Sequence, residues 1–121
     1  MSTTQTILDT TVHGEPSGNY DGSSLDWYSP AVQAADYYRG RGGLQTVTFS
    51  LDQFEGRIVL QATLDTVSET ATWFDVYEIG DGSSIPLTDF HPENIIGNFV
   101  WIRVNVKLFE SGTINYVNIT Y

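Results

Sequence analysis

The chain has 121 residues, no cysteine, and fifteen acidic against five basic side chains, for a net charge of −10. That length suits one domain with a modest two-layer core, the absence of cysteine removes disulfides and thiolate metal sites, and the charge opposes binding to nucleic-acid phosphates. No apolar stretch is long enough to span a bilayer, and residues 1–5 have neither the basic nor the apolar region of a signal peptide. A soluble protein made in the cytoplasm without a leader is expected.

In chain order, residues 6–12 read as a short strand, and residues 13–24 form a loop rich in glycine, serine, asparagine and aspartate. Residues 31–38 hold enough alanine to suggest a helix, and Pro30 suits a first helical turn, but no 3.6-residue stripe follows. They are read as extended. Residues 39–43 are a glycine loop that lacks the lysine and the following helix of a phosphate cradle. From Leu44 the pattern becomes regular. Val47, Phe49 and Leu51 alternate with Thr46, Thr48 and Ser50, and residues 52–56 are expected to turn the chain. Ile58, Leu60, Ala62 and Leu64 then alternate with Val59, Gln61 and Thr63.

Residues 65–72 are a polar excursion and residues 73–79 a strand with bulk on both faces. Another turn is expected at 80–84, and residues 85–94 read as an irregular crossing with one short strand at most. Residues 97–106 are expected to be the central core strand. Val100, Ile102, Val104 and Val106 form its packed row, with Leu108 beyond, and Phe99, Trp101, Arg103, Asn105 and Lys107 its other face. A hairpin at 110–112 then leads into a last strand over 113–121. Strands about every ten residues with no intervening helices predict an all-β fold, an antiparallel sandwich of jelly-roll or discoidin-like type. Residues 37–121 form the sandwich in this reading. Residues 1–36 lack its regularity and form an N-terminal arm or extension, anchored mainly on neighbouring subunits through Ile7, Leu8, Val12, Leu25, Trp27 and Tyr28.

The candidate chemistry is sparse. A nucleophile triad of Ser23, His13 and Asp9 lacks an elbow or an oxyanion glycine pattern. Asp89, His91 and Glu93 would share one face of an extended segment, but successive members stand roughly 7 Å apart, too far to hold one ion. Asp21, Asp26, Asp81 and Asp89 offer no alternating calcium loop. No enzyme, metal or cofactor is expected. The informative residues are aromatic. Trp73 is expected to plug the core or its rim, whereas Trp27, Tyr28, Trp101, Arg103 and Tyr116 are candidates for an interface or a ligand platform, because tryptophan, tyrosine and arginine dominate such surfaces.

Four stretches carry a resemblance: residues 37–40 with 43–47, residues 54–64, residues 72–76 and residues 97–104. Through them the chain resembles a small β-sandwich module of virion structural proteins in tailed bacteriophages, those of marine cyanobacteria especially. It is more loosely similar to galactose-binding or discoidin-type sandwiches, whose sugar-binding loops have no counterpart here. The resemblance implies a non-enzymatic component of a virion, a capsid decoration or a tail or baseplate accessory. Its partners would be other virion proteins and further copies of itself, with no nucleic acid and no membrane. The second reading is a carbohydrate-binding module that touches a glycan on the host surface.

Overall fold

In the computed structural model, which describes residues 4–34, 44–80 and 87–121, the chain forms β1 (Thr4–Leu8), β2 (Thr11–Val12), β3 (Trp27–Tyr28), β4 (Val32–Gln33), β5 (Leu44–Thr63), β6 (Phe74–Ile79), β7 (Leu87–Ile96) and β8 (Trp101–Thr120). All belong to one antiparallel sheet, as the alternating pattern predicts, and the described residues hold no α-helix. The glycine loop at 39–43, the turn at 81–84 and residues 35–38 of the segment 31–38 lie outside the described residues.

The sheet is built on β5 and β8, each twenty residues long, which pair from Thr46↔Thr120 to Thr63↔Trp101. Beyond β5, β7 covers its first half and β6 its second. Beyond β8, the amino-terminal segment runs its whole length, from Thr4↔Thr120 through Thr11↔Ile114 and Trp27↔Val106 to Gln33↔Trp101. The expected arm is therefore, over residues 4–34, the strand that covers the second edge of β8. Without it, a row of backbone donors and acceptors on β8 would stand unpaired. Ile7 and Leu8 are buried in the same core as the rest of the chain, while Val12 and Leu25 stay exposed. Where Pro30 interrupts this segment, Ser29 keeps the ladder closed. Its N–H donates to the Val104 carbonyl, and its Oγ accepts the Val104 N–H, both at 2.9 Å.

The expected turns at 52–56 and 110–112 are instead bends inside continuous strands. Gln53 and Gly56 in β5, and Leu108 and Gly112 in β8, have positive φ, and the pairing shifts register between Ser50 and Arg57. The two bends interlock. A Cβ on Gly112 would collide with the Gln53 carbonyl, and one on Gly56 would lie 2.9 Å from the Leu108 and Lys107 carbonyls. The bend also corrects the predicted core row. Leu108 is turned out to solvent, and Phe109 takes the inner place, packed on Phe54 with ring centroids 5.6 Å apart.

The bends divide the sheet into two leaves whose apolar rows join one buried core. One leaf holds β1, β7, residues 44–51 of β5 and residues 113–120 of β8. The other holds β3, β4, β6, residues 57–63 of β5 and residues 101–107 of β8. Val47, Phe49 and Leu51 of the first and Ile58, Leu60, Ala62, Ile102, Val104 and Val106 of the second belong to one core. Phe49 meets Tyr77 across the gap at 6.0 Å. At one margin Gln5 Nε2 donates to the Gln33 carbonyl at 2.9 Å, and at the other the Tyr77 hydroxyl lies 3.0 Å from His91 Nε2.

Two further differences from the sequence reading have local causes. Residues 87–96 form a full strand despite Pro92, because β7 lies at an edge, where a residue without N–H is tolerated. The central strand begins at Trp101 rather than Gly97, and Phe99 and Asn105, assigned to the wet face, are buried.

Gly112 offers a direct test of the interlocked bends. Gly112→Ala adds a left-handed alanine and a backbone collision, and is expected to cost about 2–4 kcal/mol. Gly18→Ala also has positive φ but open space around it, and is expected to cost only about 1 kcal/mol. Urea melts of both compare the two, and equal losses would show that the bends do not depend on each other.

Candidate functional site

The outer face of the second leaf carries the most organised surface chemistry in the described residues. Strand alternation places Val59, Gln61 and Thr63 of β5 beside Asn105, Arg103 and Trp101 of β8, in register. β3 adds Tyr28 beside Asn105, and the chain entering β6 adds Trp73. The Arg103 guanidinium carbon stands 4.2 Å from the centre of the Tyr28 ring and 4.3 Å from that of Trp73, so the cation is stacked between two aromatic rings. Arg103 Nε donates to Gln61 Oε1 at 2.9 Å, and Gln61 Nε2 in turn donates to Asp75 Oδ1 at 3.0 Å. Trp101 lies alongside, its indole N–H fixed to the Thr66 carbonyl at 3.0 Å.

The electrostatics of this face are unusual for so acidic a chain. Arg57, Arg103 and Lys107, the arginine and lysine residues among the described ones, all project from it. Arg57 faces Glu78 at 3.9 Å, whereas Arg103 has no carboxylate within salt-bridge distance among the described residues. Burial pushes the Arg103 guanidinium below its ordinary value, and Tyr28 opposes that shift. A flat, partly desolvated cation held by two rings is weakly hydrated and already ordered.

Tyr28, Trp101 and Arg103 of the predicted platform are thus brought together. The other two are not. Trp27 points the opposite way from Tyr28, as successive strand residues must, and is buried against Tyr20 and Phe109. Its indole N–H has no hydrogen-bond partner among the described residues. Tyr116 lies on the outer face of the first leaf, in register with Ser50. Trp73, expected to plug the core or its rim, is half-buried and stacks on Arg103, and Gln61 and Asp75 complete the network. Only the register of three strands reveals those partners, since Arg103 is 42 residues from Gln61.

Among the described residues the other candidates do not form sites, and Asp81 lies outside those residues. Asp89, His91 and Glu93 share one side of β7, facing Leu51, Phe49 and Val47 in register. His91 Nε2 contacts Glu93 Oε1 at 3.1 Å and stacks on Tyr77, whose hydroxyl is pushed up by burial and then by Glu93 and Asp89. No group of three metal-ligating side chains occurs among the described residues. His13 packs edge-on against Phe109 at 5.3 Å, while Ser23 bonds to Asp21. Asp26 accepts the Leu108 N–H at 3.1 Å.

Asp21 itself closes its loop. Its carboxylate accepts the Ser23 and Ser24 N–H groups and the Ser24 hydroxyl, and these bonds lower its pKa from 3.8 to about 2. Because the folded value lies below the unfolded one, the contribution is complete above the unfolded value and is lost as pH falls through the folded one. Protection of the Ser23 and Ser24 amides, measured against intrinsic exchange at each pH, is expected to fall over that window in the wild type and to be lost at every pH in Asp21→Ala. Comparison of the chain with protein-family models, with curated proteins and with solved structures gives no match.

Proposed function

We propose that the chain is a non-enzymatic assembly protein that acts through protein–protein contacts, and that the outer face bearing Tyr28, Trp73, Trp101 and Arg103 is its contact surface. The setting suggested by the sequence resemblance is the virion of a tailed bacteriophage, as a capsid decoration or a tail or baseplate accessory. The observation that carries the reading is the Arg103 stack. With fifteen acidic residues in the chain, a carboxylate partner for Arg103 would be easy to supply, yet none of the described ones takes that place. The cation is preorganised, so a partner's carboxylate or carbonyl can be bound with little further loss of side-chain entropy. Arginine, tryptophan and tyrosine are also the residues that dominate binding energy at protein interfaces.

The test is binding of the purified protein to virion particles or subassemblies that lack it. Arg103→Ala is expected to weaken binding by about tenfold or more, the loss typical of a central anchor. Glu15→Ala, at an exposed loop residue outside both leaves, serves as the control. Undiminished binding by a folded Arg103→Ala protein would overturn the assignment of this face.

One observation favours the carbohydrate reading as an alternative. Tyr28, Trp73 and Trp101 stand on the same outer face as the hydrogen-bonded Gln61–Asp75 pair, and rings beside polar groups on one face can stack on a sugar and bond its hydroxyls. Reproducible glycan-array binding that disappears in Trp101→Ala would establish that reading in place of the first.

A further inference from the structure

The outer face of the first leaf carries mainly uncharged side chains, in contrast to the acidic character of the chain. Its cross-strand rows run Thr4–Thr120–Thr46–Asn94, Thr6–Asn118–Thr48–Pro92, Tyr116–Ser50–Phe90 and Leu44–Ile96, and none of these side chains is charged. Several satisfy their own polar groups. Thr46 Oγ1 donates to Asn94 Oδ1 at 2.6 Å, and the Thr4 and Thr120 hydroxyls bond to each other at 3.0 Å. Exposed apolar side chains stand among them, Leu44 at 57 %, Phe90 at 63 % and Ile96 at 76 %, while Asn118 Oδ1 is a buried acceptor without a hydrogen-bond partner among the described residues.

We propose that this face is a self-association surface, on which a second copy of the chain docks by a two-fold contact. The occupant follows from charge. Two molecules that each carry −10 repel one another wherever acidic surfaces meet. The four rows hold no charged group, and exposed Asp52, paired with Thr113, stands at their end. The rows can therefore meet their own image without a central like-charge pair, and the bonded Thr4, Thr120 and Thr46 hydroxyls need no partner on the other side. A two-fold contact has this self-complementary character, since the same patch serves both partners. The contact is independent of Arg103, which lies on the other leaf, so its failure leaves the proposed function standing.

Size sets the strength. Four strands about 4.8 Å apart, each contributing about seven residues at roughly 3.4 Å, span some 400–500 Å² of sheet per copy. The total of roughly 800–1,000 Å² lies at the low end for a specific interface, so a weak dimer is expected, in the range of about 10–1,000 μM. Such a contact would matter where many copies are held close together.

Sedimentation equilibrium of the full chain over a concentration series tests this. The expected result is a monomer–dimer equilibrium that strengthens several-fold as salt is raised, because salt screens the opposing net charge. Phe90→Asp and Ile96→Asp change exposed residues, are expected to melt like the wild type, and should each weaken the dimer about tenfold. Arg103→Ala should leave it unchanged. A protein that stays monomeric at about 1 mM, the upper end of the expected range, where even the weakest such dimer would hold about half of the chains, would overturn the proposal. So would a dimer that weakens with salt, or one that responds to Arg103→Ala and not to the face substitutions.

Discussion

Val104→Asp is expected to abolish the cooperative thermal transition. Val104 is fully buried between Ile102 and Val106 in β8 and pairs with Leu60 of β5, in the middle of the row that joins both leaves. A carboxylate placed there has no cationic or donor partner built for it. The cost of leaving it unpaired is about 5 kcal/mol or more, comparable with the whole stability of a small domain, about 5–15 kcal/mol. Asn105→Asp is the comparison, one residue along and on the opposite face. The sequence alone predicts tolerance there, but Asn105 is only 5 % exposed, beside Val59 at 2 %. A moderate loss of about 1–3 kcal/mol is therefore expected, the cost of a disturbed buried polar group. Equal losses in urea melts would show that the two residues do not face opposite sides as the register requires.

Deletion of residues 1–24 is expected to leave a chain that does not fold as a monomer. The sequence reading treats this segment as an arm whose removal spares the sandwich. In the structure the deletion takes away β1 and β2, uncovers residues 113–120 of β8, and removes Ile7, Leu8 and Tyr20 from the core. Tyr20 is among the largest fully buried side chains, packed on Trp27 and Phe109, with its hydroxyl accepting the Gly14 N–H at 3.0 Å. Three buried side chains of this size contribute about 1.5–3 kcal/mol each through burial alone. The opened edge of β8 adds a hazard, because an unpaired strand recruits other chains. Circular dichroism and size-exclusion chromatography of the truncated protein are the measurements. A soluble monomer with the wild-type spectrum would show that the amino-terminal segment is dispensable for folding.

Both results follow from the way the long strands are used. β5 and β8 each serve both leaves, so a defect at the centre of either reaches the whole core. The interlocked bends have the same consequence, since neither strand can turn its corner without the other. This coupling leaves the two outer faces as the places where sequence can vary without loss of the fold, and there the chain keeps its distinctive groups: the Arg103 stack on one leaf and the uncharged rows on the other.

By itself the sequence determines the all-β class and most of the inward rows. Val47, Phe49 and Leu51, Ile58, Leu60 and Ala62, and Ile102, Val104 and Val106 are all buried as their alternation predicts, because a period of two is a property of the local backbone. Residue chemistry alone also nominates Trp27, Tyr28, Trp101, Arg103 and Tyr116 as one candidate set, of which Tyr28, Trp101 and Arg103 share a face. The tertiary structure decided what local signals leave open. Residues 52–56 and 110–112 carry turn-forming residues that suit either a reversal or a bend, and the choice rests on each bend having the other to pack against. The amino-terminal segment shows little periodicity because it completes an existing sheet edge instead of building a core of its own. Trp73 reaches Arg103, and Trp27 leaves the surface, because strand register across distant parts of the chain sets which face each residue takes. Register is a long-range quantity, fixed by the packing of the whole sheet, and no window of neighbouring residues encodes it.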